Sequence, residues 1–309
     1  MSFPRQAGLS LCFAAFAVSA AAAPDPRIVE QVAGSYDPRI ETVTKPAGRS
    51  LNGCALSLVT LHGKDPVTGG RRPVSLKQYA AKIRSDKTIL IVPPTGGENL
   101  VDQGWANFFC ARGYRALILQ HWDQDDAVTP LDLGMHDRGS LRALAAVRHA
   151  VEYAQDSGAA SIGILGASVG AMTSAFAFGV EPRLRAAVLI VGGKGMPAII
   201  ARSTEQTLTS LREQRMKEFG YQTLDEYEAA LARAVRIEPS DFAAFSGFKP
   251  ALAVVALRDD TVPTAAQYAL RDAFSAQKTI EIDDVHVEAV KAAYWSHSDA
   301  VLEFFRAAL

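Results

Sequence analysis

The stretch that decides the fold is SIGILGASVG, residues 161–170, in which an apolar run of strand character ends at a serine among small residues. A serine in a tight strand-to-helix turn needs small residues two positions before and after it, because the strand and the helix crowd those positions. Gly166 and Gly170 meet that need around Ser168. Such a turn lifts the hydroxyl above the sheet edge and places the next amide, that of Val169, at a helix N-terminus. The pattern predicts a nucleophile at Ser168, although a Gly-rich turn after a strand also has a plain structural explanation.

Strand and helix patterns alternate on both sides of this turn. Continuous apolar runs are typical of strands in a sheet covered on both faces. The segments that fit are CALSLVTLHG (54–63), KTILIV (87–92), YRALILQ (114–120), SIGIL (161–165), AAVLIV (186–191), ALAVVAL (251–257) and KTIEI (278–282). Helical spacing occurs between them, most clearly in residues 102–113 and 140–154. The alternation predicts an α/β fold with a doubly wound, mostly parallel sheet and helices on both faces.

Residues 196–248 interrupt the alternation, with two helical patterns and no good strand. In the clearer helix, Thr223 and Glu226 form a capping-box pattern, and Pro239 stops the apolar periodicity. We interpret this segment as an inserted helical cap that shapes access to a site, with a purely packing role as the alternative.

The composition predicts one soluble domain over residues 51–309, preceded by a lead-in over residues 24–50. The chain has 309 residues, of which 49% are hydrophobic, and 32 Lys plus Arg nearly balance 33 Asp plus Glu. Because no broad basic field results, nucleic acid is not expected as a partner. The oligomeric state cannot be read from the sequence.

The first 23 residues have the pattern of a secretory signal. Arg5 is followed by an apolar stretch from Leu9 to Ala23, and Pro24 ends it. The stretch is shorter than the roughly 20 residues that a spanning helix needs, so a membrane anchor is the weaker alternative. We therefore expect cleavage, export to the periplasm or beyond, and no stable membrane insertion afterwards.

Cys54 and Cys110 remain once the signal is removed. An oxidising compartment would permit them to pair, but a domain of this size does not need a disulfide, so two separate buried thiols are expected. Two cysteines without clustered histidines make no zinc site. The acidic segment QHWDQDD, residues 120–126, lacks the glycine turn and terminal glutamate of a calcium loop. We interpret it as a solvated loop bordering the pocket, in which Trp122 either lines the pocket or packs; neither metal nor cofactor is expected.

A serine nucleophile needs a base and an acid that orients the base. Asp259 follows the strand at 251–257, and His286 follows the last strand within one short loop. The order Ser168, Asp259, His286 is that of a triad hung on successive strands of one doubly wound sheet. Asp260 is an alternative acid, and His297, beside serines at the start of the C-terminal helix, is an alternative base.

The loop after an early strand must supply a second oxyanion donor. In ILIVPPTGGEN, residues 89–99, Thr95, Gly96 and Gly97 can turn amides toward a bound carbonyl oxygen, and Thr95 is the first choice. A simple glycine turn leading into the helix at Leu100 is the alternative.

These motifs together resemble the α/β-hydrolase family from about residue 50 to the C-terminus, and within it secreted bacterial carboxylesterases and dienelactone-hydrolase-like serine hydrolases. The resembling segments are PPTGG (93–97), GASVG (166–170), DDTVP (259–263) and VHVEAV (285–290). Pro93-Pro94 stands where the family has His-Gly, and Val285 where it has glycine.

The resemblance implies a triad of Ser168, Asp259 and His286, an oxyanion hole of the Thr95 and Val169 amides, and no cofactor. The expected function is cleavage of a small carboxylic ester through an acyl-enzyme. A peptidase, an acyltransferase or a non-catalytic binding protein with the same fold are the alternatives.

Overall fold

A computed structural model describes residues 24–34, 36–81, 86–120 and 131–309. The predicted signal segment and the acidic loop after Gln120, with Trp122, lie outside the described residues.

The described chain forms an α/β structure whose elements we number in chain order. The strands are β1 (Glu41–Arg49), β2 (Ala55–Lys64), β3 (Arg71–Ala80), β4 (Lys87–Val92), β5 (Arg115–Gln120), β6 (Ser161–Ala167), β7 (Leu184–Ile190), β8 (Ala251–Ala256) and β9 (Lys278–Ile282). The helices are α1 (Pro26–Gly34), α2 (Leu100–Ala111), α3 (Met135–Asp156), α4 (Val169–Val180), α5 (Met196–Arg202), α6 (Gln206–Phe219), α7 (Leu224–Ala234), α8 (Thr264–Ala273), α9 (His286–Trp295) and α10 (Ser298–Ala308), with a 3-10 helix at Pro239–Ser246.

The strands form one nine-stranded sheet in the order β1-β2-β3-β5-β4-β6-β7-β8-β9. β1, β2, β3 and β5 pair antiparallel, and all pairs from β5 through β4 to β9 are parallel. The predicted fold class, a mostly parallel sheet with helices on both faces, is confirmed. Because β4, β6, β7, β8 and β9 are parallel, their carboxyl ends lie at one edge, where ligands bind in open α/β sheets.

Two apolar layers hold the sheet between its helices. Side chains of α1, α3, α4 and α8 pack on one face. Those of α2, α9 and α10 pack on the other. The central strands are buried on both faces, which explains why β4 and β8 read as continuous apolar runs rather than as alternating patterns. None of the described helices is long and apolar enough to cross a bilayer.

The lead-in contributes regular structure of its own. β1 forms the exposed edge of the sheet and pairs with β2, with a shift in register between Pro46 and Gly48. Proline and glycine are tolerated at a sheet edge because no further strand needs their hydrogen bonds. Pro46 and Gly48 also interrupt the sequence pattern from which the strand could have been predicted.

Three helices and the 3-10 helix occupy the segment between β7 and β8. α7 begins at the predicted cap, where the Thr223 hydroxyl accepts a hydrogen bond from the Glu226 amide at 3.2 Å. The Glu226 carboxylate accepts from the amide of Gln222 rather than from that of Thr223, so the box closes one residue earlier than the standard form. α5 and α7 pack together through a small apolar cluster that also includes Met172 and Val262.

The expectation of two separate cysteine thiols is wrong, because Cys54 and Cys110 form a disulfide. Cys54 lies just before β2 and Cys110 near the end of α2. The packing of α2 on the sheet brings their Cα atoms to 6.5 Å, within the reach of a disulfide. Tertiary placement, rather than the size of the domain, decides the pairing.

Candidate active site

Ser168 sits in a strained turn between β6 and α4. Its φ of +56° lies in the left-handed region, which a residue with a side chain occupies only when its surroundings impose it. A methyl group on Gly170 would lie 2.2 Å from the carbonyl oxygen of Val92, and one on Gly166 would lie 2.2 Å from that of Gly170. The two glycines are therefore required by direct backbone contact.

The structure brings Ser168, His286 and Asp259 together in one hydrogen-bonded chain. His286 Nε2 lies 2.9 Å from Ser168 Oγ, and His286 Nδ1 lies 2.6 Å from Asp259 Oδ2. The three side chains come from the carboxyl ends of β6, β8 and β9, which are close in space but up to 118 residues apart in sequence. In this arrangement Nε2 is the acceptor for the serine proton when Nδ1 donates to the carboxylate.

Asp259 has four hydrogen-bond donors. Its Oδ1 accepts from the amides of Thr261 and Val262 at 2.8 and 2.9 Å. Its Oδ2 accepts from Gln267 Nε2 at 2.7 Å, in addition to the imidazole. The carboxylate has no exposed surface (0%), so these donors replace water and fix its orientation.

Gln267 is a site residue that sequence reasoning missed. It is buried in α8, and its Nε2 also donates to the Val262 carbonyl while its Oε1 accepts from the Ala256 amide. These contacts join the end of β8, the loop that carries Asp259 and the first turns of α8. A glutamine eight residues after an aspartate has no motif, so only the folded backbone reveals the contact.

The two alternative residues lie outside the chain of hydrogen bonds. Asp260 is exposed, and its Oδ1 accepts from Thr204 Oγ1 at 3.2 Å. His297 is the N-cap residue of α10, at the far end of α9 from His286. Asp259 and His286 are therefore the pair that the fold places beside Ser168.

His286 is the first residue of α9, a helix fixed by packing on α2. Trp105 of α2 is buried, with its ring centroid 5.2 Å from that of Tyr294 near the end of α9. Val285, the N-cap residue, has a φ of −81°, which any residue adopts, so glycine is not needed before the histidine here.

Thr95 and Val169, the predicted oxyanion donors, follow the carboxyl ends of β4 and β6. The Val169 amide is at the first position of α4, where helix amides have no intrahelical acceptor. Thr95 follows β4 in a turn with Gly96 and Gly97, both with positive φ, and lines the same cavity as Ser168. The Ser168 amide, in contrast, donates to the Ile190 carbonyl at 2.9 Å and is not available.

Side-chain hydrogen bonds connect the turn at Thr95 to neighbouring strands. Glu98 accepts hydrogen bonds from Lys77 Nζ at 2.8 Å and from Gln120 Nε2, which connect the turn to β3 and β5. Asn99 and Asp102 then form the capping box that starts α2. Burial, together with the charge of Glu98, raises the pKa of Asp102 to about 7.

A cavity of about 120 Å³ opens beside Ser168 between the sheet edge and helices α5 and α6. Its apolar lining consists of Val169, Met172, Met196, Ile199, Ile200, Leu208 and Val262. Its polar lining consists of Thr95, His136, Ser168, Ser203, Glu205, Thr207 and Thr261. Met172 lies on α4, one helical turn after Ser168. Most of the other lining residues come from residues 196–208.

Known protein structures share this fold at low sequence identity. No protein-family model and no curated protein matches the chain. An acetyl xylan esterase from Paenibacillus sp. R4 is 12% identical with a TM-score of 0.67, covering 92% of this chain and 93% of its own. Acetyl xylan esterase 1 from Thermoanaerobacterium sp. JW/SL YS485 is 16% identical with a TM-score of 0.62, covering 92% and 94%. Est1E from Butyrivibrio proteoclasticus is 17% identical with a TM-score of 0.54, covering 75% and 93%.

Identities this low establish the fold rather than the reaction. The chain has the α/β-hydrolase fold, over nearly its full described length.

Proposed function

We propose that the protein is a serine hydrolase that cleaves carboxylic esters through an acyl-enzyme. The observation that carries the proposal is the continuous chain of hydrogen bonds from Ser168 through His286 to the buried carboxylate of Asp259. Two of the similar structures described above are those of acetyl xylan esterases, which supports the proposal.

In the first half of the reaction, Ser168 Oγ attacks the ester carbonyl carbon while its proton passes to His286 Nε2. The Nδ1–H bond to Asp259 holds the imidazole in the tautomer that can accept this proton and stabilises the resulting cation. The carbonyl oxygen becomes an oxyanion, which the amides of Thr95 and Val169 stabilise. Collapse of the tetrahedral intermediate breaks the ester bond, and His286 returns the proton to the departing alcohol.

In the second half, water attacks the acyl-enzyme. His286 accepts a proton from the water, the same two amides stabilise the second oxyanion, and the Ser168 oxygen leaves with that proton. The products are one alcohol and one carboxylic acid, and the enzyme returns to its starting state. Each half requires a base and then an acid, so a single histidine serves both.

Helices α5 to α7 act in this proposal as a cap over the reacting groups. Residues of α5 and α6 line the cavity beside Ser168, so this segment sets what can enter. We further propose export to the periplasm or beyond, supported by the signal pattern with its apolar stretch from Leu9 to Ala23 and by the Cys54–Cys110 disulfide.

The test is labelling with a fluorophosphonate probe followed by peptide mapping, together with turnover of p-nitrophenyl butanoate. We expect covalent labelling at Ser168, none in Ser168→Ala, and release of nitrophenol by the wild type alone. A folded protein that neither reacts with the probe nor turns over any ester would contradict the proposal and favour a binding role.

A transferase is separated from a hydrolase by adding a second alcohol or amine as acceptor. We expect the free acid to remain the main product, and dominant transfer to the acceptor would reject hydrolysis as the main reaction.

A further inference from the structure

The cavity beside Ser168 contains an imidazole that the proposed mechanism does not use. His136, in the first turn of α3, lines this cavity together with the serine. It is half-buried, and seven of the fourteen residues that line the cavity are apolar. A polar group in such a place has a cost unless a partner meets it.

Arg215 of α6 fixes the state of this imidazole. Arg215 is fully buried, and its Nη1 lies 3.0 Å from His136 Nε2 and 3.0 Å from the Tyr227 hydroxyl, while Nη2 lies 3.2 Å from the Asp132 carbonyl. A guanidinium can only donate, so Nε2 must be the acceptor and therefore carries no proton. The ring proton is then on Nδ1.

The surroundings also keep the ring neutral. Burial and the charge of Arg215 lower the pKa of His136 to about 4, with Asp132 acting weakly in the other direction. Among the described residues, no acceptor is bonded to Nδ1. Near neutral pH the side chain of His136, which lines the cavity, is thus an uncharged imidazole whose N–H group has no partner among the described residues.

The size of the cavity indicates which part of an ester would meet this donor. On the measure that gives about 120 Å³, one water needs roughly 10 to 15 Å³, so the cavity has room for a short acyl chain. We assign the cavity to the acyl group, because the cavity is of limited size and lies directly beside Ser168, to which that group becomes bonded.

We propose that His136 is a specificity residue that donates a hydrogen bond to a neutral oxygen in a short acyl chain, such as an ether oxygen in a methoxyacyl ester. This inference rests on the proposed ester hydrolysis. The carboxylate of Glu205 lines the same cavity, bonded by its Oε2 to the Leu208 amide, and its charge disfavours an acyl group that is itself anionic.

The experiment compares pairs of p-nitrophenyl esters that differ only in an oxygen replacing a methylene. The pairs are butanoate with methoxyacetate, and pentanoate with 3-methoxypropanoate. For each pair, kcat/KM for the ester with the ether oxygen is divided by kcat/KM for the ester with the methylene. This ratio is measured in the wild type, in His136→Leu and in His136→Gln. Dividing the wild-type ratio by the variant ratio cancels the different chemical reactivity of the two esters.

A neutral hydrogen bond contributes about 0.5 to 1.5 kcal/mol, which corresponds to about 2- to 13-fold. For at least one pair we expect His136→Leu to lower the ratio by this factor, and His136→Gln, which retains both a donor and an acceptor for Arg215, to restore much of it. Leu208→Ala, which enlarges the cavity without removing a donor, is the control for lost volume; because it removes an apolar contact, it should not lower the ratio as His136→Leu does.

Changes below twofold in both pairs overturn the inference, as does an equal change in Leu208→Ala. If butanoate is still hydrolysed through Ser168 in that case, the proposed function stands and only the role of His136 fails. If no ester is hydrolysed, both fail. Thermal melting of each variant identifies losses that come from unfolding.

Discussion

Replacing Asp259 by Asn tests how the carboxylate controls the base. The Thr261 and Val262 amides both donate to Oδ1, so the asparagine carbonyl must take that place. Its NH₂ group then takes the place of Asp259 Oδ2, which lies 2.6 Å from His286 Nδ1 and 2.7 Å from Gln267 Nε2 in the wild type. Because NH₂ is a donor, His286 must present an unprotonated Nδ1 and carry its proton on Nε2. That proton points at Ser168, and the base is lost.

The wrong tautomer in a serine triad lowers kcat by about 10⁴-fold, which is about 5 kcal/mol in the activation free energy. The variant should also lose about 1 to 3 kcal/mol of stability, because two donors, the new NH₂ and Gln267 Nε2, face each other in a buried place. The assay is kcat for p-nitrophenyl butanoate, with thermal melting as the check on folding.

Asp260→Asn is the matched control, since this neighbouring carboxylate is exposed and, among the described residues, hydrogen-bonded only to Thr204. We expect its kcat to stay within about threefold of the wild type. A folded Asp259→Asn that keeps more than a tenth of the wild-type kcat would refute the reasoning, and a large loss in Asp260→Asn would move the acid to that residue.

Three further predictions concern the framework of the site. Gly170→Ala should prevent folding or lower the melting temperature by more than 5 °C, because the added methyl group would meet the Val92 carbonyl at 2.2 Å; a melting curve that matches the wild type would disprove the contact. Replacing both Cys54 and Cys110 by Ser should cost about 2 to 4 kcal/mol in urea unfolding, since the disulfide closes a loop of 56 residues; equal stability of the two proteins without reductant would contradict the pairing. Burial raises the pKa of Asp102 to about 7, so between pH 4 and 7 the folded protein binds a proton that the unfolded chain does not. The free energy of unfolding should therefore fall as the pH rises through that range. Asp102→Asn should remove this dependence on pH, and an unchanged dependence in the variant would contradict the role of Asp102.

Much of the fold could be predicted because the central strands are buried on both faces. Their sequences, such as residues 87–92 and 251–256, are short continuous apolar runs that favour a covered sheet, and the two glycines around Ser168 indicate the tight turn. β1 and β3 at the antiparallel side were missed, since β1 is exposed along its length, β3 is partly exposed, and Pro46 and Pro73 interrupt any apolar signal.

The candidate site was predictable to the extent that its residues follow strand ends. Ser168, Asp259 and His286 do so, and chain order then assigns their places. Gln267 and Arg215 lie inside helices, where an amide or a guanidinium at a single position gives no periodic signal. Their partners lie on other elements, and the disulfide likewise depends on how α2 packs against the start of β2.

The most direct test of the central claim compares Ser168→Ala, His286→Ala and the double variant on one ester. If the two side chains act as one unit, each single change lowers kcat by about 10⁴-fold or more and the double change lowers it little further. Losses that multiply in the double variant, or a Ser168→Ala enzyme within a few-fold of the wild type, would show that the serine and the histidine do not share one step.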